Sequence, residues 1–170
     1  MNRLTAPWYR RKRELYRGGR THRWTRVLNR VAAWQFIALR PLFRSRGVVL
    51  DVRGRTSGRT VRLPLVVLRQ GGERYLVSML GEQAQWVLNV RADGGRAVLH
   101  DGRVEPVRLV DVPVGDRPPL LKRYLQIAPG ARPHIAVDRR APLEDFVRIA
   151  ADVPVFRVAA WPGDDVIPTA

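Results

Sequence analysis

Gly54-Arg55-Thr56-Ser57-Gly58-Arg59 runs directly into Thr60-Val61-Arg62-Leu63-Pro64-Leu65-Val66-Val67-Leu68-Arg69-Gln70. Gly71-Gly72 breaks the pattern, and Tyr75-Leu76-Val77-Ser78-Met79-Leu80-Gly81 and Gln83-Ala84-Gln85-Trp86-Val87-Leu88-Asn89 follow. Gly54 and Gly58 bracket Arg55, and Arg59 follows, which predicts a cationic loop. Thr60–Gln70 is rich in β-branched and aliphatic residues and reads as a long strand. Pro64 inside it predicts an edge or a bulge, because proline brings no N–H to a ladder. Gly71-Gly72 predicts a hairpin turn, with 73–79 as the return strand. Residues 83–91 read as a short helix on which Trp86 and Asn89, three apart, share a face. Two loops rich in backbone N–H groups, flanked by arginines, suit a phosphate-bearing ligand.

Outward from this stretch the pattern stays antiparallel. A strand is expected at 48–53, and a second hairpin pairs 96–100 with 103–112 through the turn Asp101-Gly102. Asp93-Gly94-Gly95 ends the short helix. Asp116 is placed to cap a helix over 118–127 that opens on proline. A loop over 128–141 contains Pro129, Gly130 and Pro133. Pro142 starts a helix over 143–151 with Glu144 and Asp145 in its first turn. A last strand is expected at 153–158. Hairpins with helices inserted between them define an α+β domain. Upstream, Thr25 would cap a helix reaching Arg40, where Pro41 stops it. Val27, Leu28, Val31, Trp34, Ala38 and Leu39 fall on one side of that helix, and Arg26, Arg30 and Arg40 on the other. The expected organisation is a basic flexible arm over 1–22, one domain over 23–160 and a tail over 161–170.

The 170 residues suffice for one domain with a true core. The absence of cysteine excludes disulfides, thiol nucleophiles and Cys-ligated metals. His22, His100 and His134 are scattered, so no metal site is expected. Net charge is +16, and it is unevenly spread. Residues 1–50 hold 13 Arg/Lys against Glu14 alone, a balance of +12, which leaves +4 for the other 120 residues. Neither a secretory leader nor a run of 18 apolar residues is recognisable, so a cytoplasmic protein is expected. The basic segment and Trp24 suit peripheral contact with an anionic membrane surface. A basic nucleic-acid-binding protein is the alternative that charge suggests, but no recognition motif accompanies it.

The ordered set Gly54, Arg55, Ser57, Gly58, Arg62, Pro64, Leu65, Ser78, Gly81, Trp86 and Asn89 resembles the deazaflavin-dependent nitroreductase family. The likeness runs from about Trp24 to Val158. One departure is Thr56, which stands where the family carries lysine and removes a cation from the loop. The resemblance implies a split β-barrel of the FMN-binding type, with flanking helices, that binds coenzyme F420. It implies that Arg55, Thr56, Ser57, Arg59 and Arg62 meet the cofactor's phosphate and glutamate tail. Pro64, Ser78, Met79, Leu80 and Gly81 would line the deazaflavin ring. Trp86 would wall the ring or fill the core, and Asn89 would tie its helix to a loop.

The implied activity is hydride transfer from reduced F420 to a small hydrophobic acceptor: a quinone, a nitroaromatic or an activated enone. The accompanying proton would come from Ser78, Tyr124 or water. His134 is a lesser pocket residue in this reading, and Asp51 would hold Arg53 or Arg55. A non-catalytic F420-binding protein is a further alternative, and FMN or haem on a related barrel a lesser one.

Overall fold

The computed structural model describes residues 46–161. The basic arm and the helix expected over 25–40 lie outside these residues, as does the tail beyond Trp161. Six strands are formed: β1 (Gly47–Arg53), β2 (Thr60–Gln70), β3 (Glu73–Val77), β4 (Arg96–His100), β5 (Val104–Asp111) and β6 (Val155–Ala160). Three α-helices are interspersed among the described residues: α1 (Gln85–Ala92), α2 (Arg117–Ile127) and α3 (Leu143–Ile149). Short 3-10 turns stand at Val114–Asp116 and Pro129–Ala131. All neighbouring strands pair antiparallel and close into a barrel in the order β1-β2-β3-β6-β5-β4. This is the split-barrel architecture that the family resemblance implies.

Alternation along each strand decides what fills the barrel. Val48, Leu50 and Val52 of β1 point inward with Val67 of β2, Leu76 of β3 and Leu99 of β4. Val107 and Leu109 of β5 and Phe156 and Val158 of β6 complete this core. The same alternation sends Leu68, Val77 and Val155 outward, where they meet Leu120, Leu121, Tyr124 and Leu125 of α2 and Phe146 of α3. The protein therefore has two apolar clusters that share strands β2, β3 and β6. One lies inside the barrel and the other between barrel and helices.

Each end of the barrel is closed by a different chemistry. At one end α1 delivers Trp86, Val87 and Val90 into the interior cluster. The Trp86 ring lies 5.4 Å from that of Phe156 at an interplanar angle of 57°. Trp86 is thus core rather than an exposed wall. The other end is closed by charge: Arg69 bonds Asp101, and Arg74 bonds Asp101 and Glu105. The Arg74 hydrogen bond is the main influence holding the Glu105 carboxyl below its usual range.

Pro64 fits its expected place on an edge. It pairs with Val49 on one side, while β3 joins β2 only from Val67 onward. A residue without an N–H is tolerated where the strand has one neighbour. Two strands depart from their expected bounds by two residues, and one expected cap is not made. β3 stops at Val77, because Ser78 turns to donate its amide to the Pro154 carbonyl. The final strand is displaced to Val155–Ala160 by its register on β3 and β5. Asp116 makes no side-chain cap; it lies in the 3-10 turn that leads into α2.

Gly95 joins α1 to the barrel. Its amide bonds the Val90 carbonyl, and its own carbonyl accepts from Leu109. Its φ is +86°, and a Cβ there would stand 2.5 Å from the Leu109 oxygen. Gly95→Ala is expected to cost about 1–3 kcal/mol, the scale of a strained left-handed residue with a backbone clash. Gly130→Ala meets open space without a positive φ and should be neutral. Urea unfolding midpoints of the two variants test the contrast.

Candidate functional site

The 54–59 loop joins β1 to β2 and is braced from inside and from below. The Gly54 amide bonds the Arg59 carbonyl at 2.9 Å, and the Gly58 amide bonds the Gly54 carbonyl at 2.7 Å. The Arg59 amide donates to Ser57 Oγ at 3.3 Å. Asn89 of α1 holds the loop from below: its Oδ1 accepts from the Arg55 amide at 3.2 Å and from Arg55 Nη1 at 2.9 Å. Gln85, one helical turn earlier, accepts from the same Nη1 at 3.1 Å. Asn89 is buried, so both donors stabilise a polar atom that water does not reach freely. The outcome is a fixed loop with Arg55, Thr56, Ser57 and Arg59 all exposed. None of these bonds uses the tip amides of Thr56 and Ser57.

The 78–81 loop connects β3 to α1 and lies against the segment that precedes β6. Ser78 is 1 % exposed, and its hydroxyl donates to the Gly81 carbonyl at 2.8 Å. Gly81 adopts φ +80° with its Cα close to the Asp152 carbonyl, so a side chain there would meet that oxygen at 3.2 Å. Met79 leans on the helical cluster, while Leu80 is 46 % exposed. The loop thus offers an apolar side chain and closely approachable backbone next to the helix that carries Asn89.

The surroundings of four residues bear on their expected roles. Arg62 is engaged by Asp51, with Nε to Oδ1 and Nη2 to Oδ2 both at 2.7 Å. The two residues face each other across β1 and β2, so register makes the pair. Asp51 therefore does not hold Arg53 or Arg55. Its second partner is His100, whose Nε2 lies 2.9 Å from Oδ2. Burial would raise the Asp51 carboxyl, but the hydrogen bonds from Arg62 and His100 outweigh it and hold it below its ordinary range. The Ser78 hydroxyl donates its hydrogen bond to the Gly81 carbonyl. Tyr124 sits in the helical cluster, 3 % exposed, and burial pushes its phenol up, making it a weaker acid. His134 is half-buried in the segment after α2.

Sequence reasoning missed Gln85 as the second support of Arg55. The signal was present: Gln85 and Asn89 are four apart on one helix, so both face the same loop. It also missed a cluster of four charges, Glu82, Arg91, Asp111 and Arg117, which connects the 78–81 loop to the helical layer. These residues come from two stretches of chain, 82–91 and 111–117, and no spacing rule relates the two. Among the described residues no cluster of His, Cys, Asp or Glu could hold a metal.

The sequence profile of a family described as F420H(2)-dependent quinone reductase matches residues 38–144. The chain belongs to that family. It is an oxidoreductase, and its hydride donor is reduced F420. No match is found among curated proteins. Among solved structures, the chain is similar to the protein Atu2129 of Agrobacterium tumefaciens str. C58, of unknown function, at 16% identity and a TM-score of 0.50. That match covers 73% of this chain and 53% of the other, so the chain spans about half of Atu2129. A structure described as a domain-swapped dimer matches at 17% identity and a TM-score of 0.48, over 75% of this chain and 98% of that one. A further one, described as an F420-H2 dependent reductase, matches at 22% identity and a TM-score of 0.41, over 68% and 94%. Identities this low speak to fold alone.

The Asp51 carboxylate gives a pH prediction. Its folded pKa lies below its ordinary value. Its contribution is therefore complete above the unfolded pKa of about 4 and is lost as pH falls through the folded value. Asp51→Asn should be less stable than the parent at neutral pH, with the gap narrowing below about pH 4. Unfolding midpoints measured from pH 7 down to pH 3 would show this, and a gap constant across that range would contradict it.

Proposed function

We propose that the chain uses reduced F420 to reduce a quinone, binding the cofactor's acidic tail at the 54–59 loop and its ring beside the 78–81 loop. The observation that carries this reading is the brace beneath Arg55. A loop arginine held by Asn89 and Gln85 yet still exposed would lose little further freedom on binding. The donor set fits a polyanionic tail. Arg55 and Arg59 are exposed guanidiniums, and the Thr56 and Ser57 amides lie at the tip between them. The second loop fits a flat apolar ring, with Leu80 exposed, Pro64 half-buried and Gly81 bringing backbone close.

Bound reduced F420 supplies the hydride. Everything else falls to the chain. The 54–59 loop takes the charge of the tail. The 78–81 loop fixes the face on which the acceptor must lie, since reaction requires the two partners to be held in near-contact. Arg62 contributes positive potential from its place on Asp51 rather than as a free donor. With the Ser78 hydroxyl committed and Tyr124 in the helical core, water is the proton source in this reading. Nitroaromatics and activated enones are the competing acceptor classes.

The place where the acceptor is met belongs to the same proposal. Quinones of long chain reside in membranes, and residues 1–50 carry +12 of the +16 charge. Basic residues near an anionic surface contribute about 1 kcal/mol each, so several acting together would give reversible docking. Pelleting with anionic vesicles at low salt, and its loss at high salt, is the expected behaviour. Failure to pellet at low salt would remove this part.

Fluorescence titrations with F420 and FMN, and turnover of F420H2 with menadione, test the core of the reading. F420 should bind more tightly than FMN, and menadione should be reduced. Arg55→Ala and Arg59→Ala should each weaken F420 by about 1.5–3 kcal/mol, the scale of bonds to charged groups. Arg62→Ala should weaken binding too, but with a loss of stability, because it strips Asp51 of its partner. Equal or tighter FMN binding would overturn the cofactor assignment. Tight F420 binding without turnover of any acceptor would favour a non-catalytic binding protein.

A further inference from the structure

Four charged side chains meet where the 78–81 loop, α1, β5 and α2 converge. Arg91, in the last turn of α1, bonds Glu82 through both Nη atoms. It also bonds Asp111 at the end of β5, with Nε to Oδ2 and Nη2 to Oδ1 both at 3.0 Å. Its guanidinium carbon lies 5.7 Å from the centroid of the Phe156 ring. The two carboxylates push its pKa further upward, Asp111 most strongly. Arg117 completes the group from α2 and is 5 % exposed. Its Nε donates to the Val112 carbonyl at 2.8 Å and its Nη1 to the Ala150 carbonyl at 3.0 Å. Glu82 and Asp111 lie 3.8 Å and 3.7 Å from its Nη atoms.

The position of this cluster matters more than its energy. Glu82 directly follows Gly81, and Gly81 packs on the Asp152 carbonyl. Ser78, at the other end of the loop, is anchored to the Pro154 carbonyl. Arg117 holds Ala150, just ahead of that segment. The loop and the backbone it rests on are therefore tied to one pair of guanidiniums. Arg91 also shares α1 with Gln85 and Asn89, which brace the cationic loop.

We propose that Glu82, Arg91, Asp111 and Arg117 form an ionic clasp that positions the 78–81 loop, with Arg91 and Glu82 as positioning residues for hydride transfer. The proposal rests on the reading that places the ring beside this loop. The clasp acts through the loop, so loosening it is expected to act on turnover more than on affinity. Arginine suits the centre because one planar fork serves two carboxylates, which a lysine ammonium does not do with the same geometry.

The test compares the full chain with Glu82→Gln, Arg91→Gln and Arg91→Lys. Amide hydrogen exchange is measured first, without cofactor, on peptides covering 78–84. The Gly81 and Ala84 amides, bonded to Ser78 and Gly81, should exchange faster in Glu82→Gln and Arg91→Gln, while the β1–β2 peptides stay protected. F420 affinity is then measured apart from kcat. The expected result is a fall in kcat of about tenfold, within the range that small misplacement produces, with Kd for F420 within about twofold of the parent. Arg91→Lys should recover part of kcat. Should Arg91→Gln not fold, Glu82→Gln decides alone, since Glu82 is a partly exposed loop residue. Unchanged exchange and unchanged kcat in Glu82→Gln would overturn the clasp. Equal losses in kcat and affinity that track lowered stability would reduce it to a structural contact and also overturn it. Absence of F420 binding by the parent chain would instead overturn the reading on which the clasp rests.

Discussion

β1 carries hydrogen-bond ladders on both edges, to β2 and to β4, and this double pairing closes the barrel. Closure forces alternate residues of six strands into one interior that side chains must fill. It also leaves two open ends, each of which needs a lid. The apolar lid is α1, and its placement aims Gln85 and Asn89 at the loop between β1 and β2. The ionic lid of Arg69, Arg74, Asp101 and Glu105 closes the opposite end. The cationic loop is therefore fixed because the barrel must be plugged, and the residues that plug it carry the brace on their neighbouring face.

Arginine has two separate uses in this chain. In the described residues, Arg62, Arg74, Arg91 and Arg117 are matched by carboxylates or carbonyls and hold elements together. Arg55 is intermediate: one face is satisfied by α1, and the loop it belongs to is exposed. Arg59 is exposed at the loop's end. Counting basic residues along the chain cannot separate these uses. Partly buried pairs are held by geometry and screened less by salt than the exposed ones. A salt titration of binding would thus report on the loop more than on the clasp.

The division of labour suits a cofactor that brings its own reactivity. Among the described residues there is no metal cluster, the Ser78 hydroxyl is bonded to the Gly81 carbonyl and Tyr124 is buried. What the protein provides is rigid placement: a charge-bearing loop, a close-packed glycine and an apolar edge, all referred to α1.

Much of this was legible in the chain itself. Alternating Val and Leu, the turns Gly71-Gly72 and Asp101-Gly102, and the glycine pair after α1 predicted every strand of the barrel within a few residues. These signals are local, because strand period and turn chemistry act between near neighbours. The ordered residues from Gly54 to Asn89 also pointed to the family and its cofactor. The tertiary structure alone decided which of the described arginines are paired with carboxylates. Asp51 meets Arg62 by register across β1 and β2 and His100 from β4, and the cluster of Glu82, Arg91, Asp111 and Arg117 joins the 82–91 stretch to the 111–117 stretch. Charge pairing depends on distance in space, and closing the barrel sets those distances only once all six strands are in place.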